Sequence, residues 1–113
     1  MEDEKLRPEL LELYEKQALV TQAMAHPLRI AILHILRQGP CCVQDIVRQV
    51  GGKQSNISRH LGILVNAGIL QYEKKGLHVY YTLKRQCVLR FLDCLSDYLK
   101  EQIEMDKKLL QII

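Results

Sequence analysis

Apolar residues recur at spacings of three and four along most of this chain and at a spacing of two in one short stretch, which predicts five helices and a hairpin. Residues 8–24 make the first helix. Pro8 suits its first turn, and Leu10, Leu13, Tyr14, Ala18 and Leu19 keep the helical period. His26-Pro27 breaks that helix and starts the next, in which Leu28, Ile30, Ala31, Ile32, Leu33, Ile35 and Leu36 are apolar nearly all round, the mark of a central core helix. Gln38-Gly39-Pro40 ends it. Residues 42–50 form a short third helix with Val43, Ile46, Val47 and Val50 inward, and Gly51-Gly52-Lys53 turns the chain into the fourth, residues 54–67.

That fourth helix divides into two faces. Ile57, Leu61, Leu64 and Val65 form an apolar stripe, while Gln54, Ser55, Asn56, Ser58, Arg59 and His60 place amide, hydroxyl, guanidinium and imidazole groups in the first two turns. Two helices joined by a tight glycine turn, the second polar at its start, form the helix-turn-helix pattern, whose second helix enters a major groove. A solvated helix end has the same composition, so the neighbouring segments decide. Ala67-Gly68 supplies a helix stop, and residues 69–83 then alternate as two strands around Lys75-Gly76. This is a wing, with Lys74, Lys75 and His78 expected on its loop. Residues 85–110 form a last helix whose stripe of Val88, Leu89, Leu92, Leu95, Leu99, Ile103 and Leu110 is too long for so small a domain to cover, so a dimer seam shared with the first helix is expected.

The net charge of +3 becomes informative once it is divided along the chain. Residues 1–15 carry net −4, with Glu2, Asp3 and Glu4 among the six acids, residues 91–113 carry net −2, and residues 26–90 carry net +8. A basic middle between acidic ends fits a polyanion-binding surface with partner-facing flanks. The 113 residues suit one domain. There is no apolar run of about 18 residues and no basic-then-apolar start, so no membrane partner and a cytoplasmic location are expected. Four cysteines in such a chain are expected as reduced thiols.

Three segments, in this order and spacing, resemble the ArsR/SmtB family of winged helix-turn-helix repressors: Ala25-His26-Pro27-Leu28-Arg29-Ile30-Ala31-Ile32-Leu33, Gln54 to Leu64 with Ala67-Gly68-Ile69-Leu70, and Lys75 to Leu83. The resemblance implies a mainly α, dimeric winged helix-turn-helix with a small β-hairpin wing. It also implies a homodimer on an inverted-repeat, double-stranded DNA operator that lets go on meeting a metal, metalloid or reactive sulfur species. DNA contacts are then expected from Gln54, Ser55, Asn56, Ser58, Arg59, His60, Lys74, Lys75 and His78. His26 and His34 are read as structural.

The inducer site departs from the family pattern. Arsenic and cadmium sensors of the family begin the third helix with Cys-Val-Cys, and here Cys42-Val43 is followed by Gln44, with the extra thiol at Cys41 instead. The zinc ligands on the family's last helix correspond to Arg85, Cys87, Tyr98 and Glu101, a set unsuited to zinc. Cys41 and Cys42 follow Pro40 at a helix mouth, where the macrodipole favours a thiolate. One of them is expected to act with Cys87 or Cys94 in capturing trivalent arsenic, a soft metal ion or a persulfide. Cys87 and Cys94 lie about 10 Å apart along the last helix and cannot share one ion within a chain. The alternatives are cysteines that only pack, in a regulator without a chemical inducer, or a winged helix that docks protein rather than DNA. No catalytic constellation is present, and Gly51-Gly52-Lys53-Gln54-Ser55 lacks the spacing of a phosphate-binding loop.

Overall fold

The computed structural model describes residues 5–113, so the acids Glu2, Asp3 and Glu4 of the charge pattern lie outside the described residues. The chain runs α1 (Pro8–Met24), α2 (Pro27–Leu36), β1 (Cys41–Cys42), α3 (Val43–Val50), α4 (Gln54–Asn66), β2 (Leu70–Lys75), β3 (His78–Leu83) and α5 (Cys87–Ile112). Proline opens both α1 and α2, where its missing N–H costs no helical bond. At the break between them the His26 ring caps α2, its Nδ1 accepting the N–H of Leu28 at 3.1 Å, and the two helices diverge by 87°.

The core gathers one stripe from each element. Ile32 and Leu33 of α2, Ile46 of α3, and Ile57, Leu61 and Leu64 of α4 are buried completely, and Ile69, Leu70, Leu83, Val88, Leu89 and Leu92 close over them. Burying a side chain of this size contributes about 1.5–3 kcal/mol, so this cluster fixes how α4 sits on the domain.

The sheet corrects the two-strand expectation. It has three antiparallel strands in the order β1-β3-β2, with Cys41 opposite Tyr81 and Cys42 opposite Tyr80. A two-residue strand has no periodicity to read; only its partner β3 makes it one. Consequently α3 starts at Val43 rather than at 42. The last helix also starts later than expected, at Cys87, because the N–H of Lys84 is held by the carbonyl of Ile69 at 2.9 Å.

The protomer is far from spherical. Its radius of gyration is 18.5 Å, where about 13 Å suits a compact domain of this length. The excess comes from α5, whose 26 residues span about 39 Å and outrun the core. Among the described residues, no single helix is long and apolar enough to cross a membrane.

Candidate nucleic-acid interface

The turn into α4 uses Gly51 and Gly52 at φ 79° and 88°, backbone angles that favour glycine, and so reverses the chain in three residues. Lys53 is the N-cap, its carbonyl accepting from the N–H groups of Asn56 and Ile57 at 3.1 and 3.2 Å. With Ile57, Leu61 and Leu64 inward, Gln54, Ser55, Asn56, Ser58 and Arg59 must point out, and all five are exposed. Arg59 Nη2 donates to Asn56 Oδ1 at 2.9 Å. This face offers two amides, two hydroxyls and a guanidinium around an electropositive helix start, the groups that pair with base edges and phosphates.

His60 does not belong to that face. It is only 2% exposed, on the inner side of α4, and its Nδ1 accepts from Arg29 Nε at 3.0 Å while its ring lies 4.5 Å from that of His26. Burial foremost, then Arg59, His26 and Arg29, holds its pKa below the usual imidazole range. The expectation of His60 as a DNA contact is therefore corrected. It lies three residues after Ile57 and one before Leu61, within the arc the apolar stripe buries, so the helical period carried the signal.

The wing is a tighter hairpin than expected. β2 pairs with β3 up to Lys75 opposite His78, leaving Gly76 and Leu77 as a two-residue tip. Lys74, Lys75 and His78 are exposed on strand ends rather than on a loop, which holds them close to the backbone ladder. Leu77 at the tip is 96% exposed, and Lys53 stands exposed beside the start of α4. Sequence reasoning passed over both. Their signal was position, the end of a wing and the residue before a recognition helix.

The cysteines are not brought together as expected. Successive side chains of a strand point to opposite faces, so Cys41 and Cys42 in β1 cannot chelate one ion between them. Cys42 is buried, and Cys41 is half-buried, with burial and then the neighbouring Cys42 thiol raising its pKa, the reverse of the helix-mouth activation expected. Cys87 and Cys94 are exposed on α5. Among the described residues no three His, Cys, Asp or Glu side chains of one protomer could hold a metal ion.

A second surface lies on α1 and α5. Leu11, Leu13, Tyr14 and Leu19 on α1 and Phe91, Leu95, Leu99, Ile103 and Leu110 on α5 are all exposed, and a cavity of about 640 Å³ opens between the helices among Val20, Met24, Val88 and Phe91. Arg37 anchors α5 to the end of α2 by donating to both carboxylate oxygens of Asp93, at 2.6 and 3.2 Å, a hydrogen-bonded pair that lowers the Asp93 pKa.

Comparison with known proteins agrees with this geometry. The family profile described as "Bacterial regulatory protein, arsR family" matches residues 26–72. The transcriptional regulator NmtR of Mycobacterium tuberculosis is 37% identical over 76 residues, which cover 67% of this chain and 63% of that protein. The arsenical resistance operon repressor of Bacillus subtilis is 36% identical over 81 residues, covering 71% of this chain and 74% of that repressor. Among solved structures, NolR from Sinorhizobium fredii superposes with a TM-score of 0.77 at 30% identity, over 85% of this chain and 96% of that one.

Proposed function

The chain belongs to the ArsR family of bacterial regulatory proteins, and from that premise we propose that it is a transcriptional repressor that binds a double-stranded DNA operator as a homodimer. The observation that carries the reading is the division of α4. Its inner face is buried to the last atom at Ile57, Leu61 and Leu64, which leaves Gln54, Ser55, Asn56, Ser58 and Arg59 presented on a rigid helix. Base edges are read by those groups, the cations Lys74, Lys75 and Lys53 neutralise phosphate, and His78 stands beside them on the wing. The apolar faces of α1 and α5 are covered by the second copy. An inverted-repeat operator then presents one half-site to each α4.

Release by a thiophilic inducer belongs to the same proposal. The described residues of one protomer form no metal-holding group, and the thiols open to such an inducer are Cys87 and Cys94 on α5, while Cys41 and Cys42 pack the sheet. A duplex enriched by the protein from a random-sequence library tests the DNA reading. The enriched duplex should be bound far better than its scrambled counterpart, by about 10³-fold or more at moderate salt. Failure to enrich any sequence rejects it.

A further inference from the structure

Arg29 leaves the first turn of α2 and reaches two other helices at once. Its Nη1 donates to the carbonyls of Ala23 at 3.0 Å and Gln22 at 3.4 Å, in the last turn of α1, where a cation meets the negative end of the helix dipole. Its Nε donates to Nδ1 of His60, in the second turn of α4.

Hydrogen-bond chemistry fixes the proton on His60. A guanidinium only donates, so Nδ1 must hold a bare lone pair and the ring proton must sit on Nε2. Arg59 Nη2 lies 3.5 Å from that Nε2, donor against donor, and bonds Asn56 instead. His26 is bound by the same requirement, because its Nδ1 accepts from the N–H of Leu28. Among the described residues, the charged or titratable groups acting on His60 are Arg29 from α2, His26 from the α1–α2 junction and Arg59 from α4, none of them an acid. A proton taken up from solvent at Nδ1 thus has no acceptor to meet. It removes the acceptor that Arg29 uses and adds a third positive charge beside two guanidinium groups.

We propose that Arg29 is a positioning residue for DNA reading: through an unprotonated His60 it fixes the first turns of α4 on the carboxyl end of α1, and protonation of His60 undoes that fixing. The inference rests on the DNA-binding reading above. Because α1 belongs to the dimer seam, this tie sets the angle of each recognition helix against the seam and hence the spacing of the two. Acid should therefore erode discrimination between duplexes more than general attraction to DNA, which depends on exposed cations.

The test compares affinity for the enriched duplex with affinity for its scramble, since wing and phosphate contacts act on both. In the wild type this ratio should fall about tenfold between about pH 8 and about pH 5. In His60→Gln, whose amide oxygen accepts from Arg29 without titrating, the ratio should stay flat. In Arg29→Gln it should be low at both ends. A flat wild-type ratio, or a fall in His60→Gln equal to the wild type's, overturns the proposal. Imidazole nitrogen chemical shifts read the tie without DNA. They should place the His60 proton on Nε2 in the wild type, and amide exchange in the first turns of α4 should quicken in Arg29→Gln. An Nδ1–H tautomer, or unchanged exchange, overturns the proposal even if the protein enriches no duplex, an outcome that rejects the DNA reading by itself.

Discussion

Arg59 and Asn56 stand one turn apart on the exposed face of α4, and the guanidinium donates to the amide oxygen at 2.9 Å. The pair holds a flexible side chain in place before any base is met, and it leaves the amide N–H groups and the remaining guanidinium donors free. Pre-orientation of this kind lowers the ordering cost of binding.

Substitutions at the helix and at the wing should therefore differ in kind. Arg59→Ala or Gln54→Ala should cost about 1–3 kcal/mol on the enriched duplex and blur its preference, because both remove base-edge donors. Lys75→Ala should weaken all duplexes alike and reduce the salt slope by about one unit. Binding isotherms at several salt concentrations separate these outcomes, and equal loss of preference from both kinds of variant would contradict the assignment.

A charge at Leu95 or Leu99 should abolish the dimer. These residues are 41% and 54% exposed in the protomer, on the stripe left uncovered beyond Leu92. Covered by a second copy, Leu95→Glu or Leu99→Glu buries an unpaired carboxylate and costs several kcal/mol. Sedimentation should show the wild type as a dimer at micromolar concentration and the variants as monomers or unfolded chain. A monomeric wild type at that concentration places the seam elsewhere.

The cysteines should separate by location. Cys42→Ser buries a hydroxyl where a thiol packed and should lose about 1–3 kcal/mol of stability, whereas Cys87→Ser and Cys94→Ser, at exposed positions, should unfold like the wild type. DNA release by arsenite, cadmium, zinc or a persulfide donor should survive loss of Cys41 and Cys42. It should disappear with Cys87 and Cys94. Release that needs Cys41 or Cys42 returns those thiols to the inducer site, and no release by any agent leaves none of the four with a role in induction.

Gly52→Ala should cost about 1–2 kcal/mol although a methyl group there meets nothing within 4 Å. The penalty is in the backbone, at φ 88°. Denaturant melting measures it, and an unchanged midpoint would mean the turn is not held at that angle.

Stability should fall in mild acid because of His60. Its folded pKa lies below the unfolded value near 6.5, so below that value the unfolded chain binds a proton that the folded chain resists. The contribution is whole above about pH 6.5 and shrinks as pH drops through the folded pKa. Thermal melts of wild type and His60→Gln across this range should converge at high pH and diverge below it, in favour of the variant. Parallel curves would show that His60 titrates normally.

Helices and wing were legible in the sequence because each carries its own period. The 3.6-residue stripe of Ile57, Leu61 and Leu64 already decided which side of α4 is buried, and the breaks at His26-Pro27 and Gly51-Gly52 are local conformational facts. The uncovered stripe of α5 was also readable, since a helix longer than its domain can fill announces itself by length. Tertiary structure alone decided the fates of Cys41 and Cys42. A two-residue strand exists only through its hydrogen bonds to β3, far along the chain, and those bonds turn the two thiols to opposite faces. The helical period puts His60 on the buried side of α4, and what only the fold supplied was its partner Arg29, 31 residues away in sequence, which satisfies an imidazole that burial would otherwise leave unpaired.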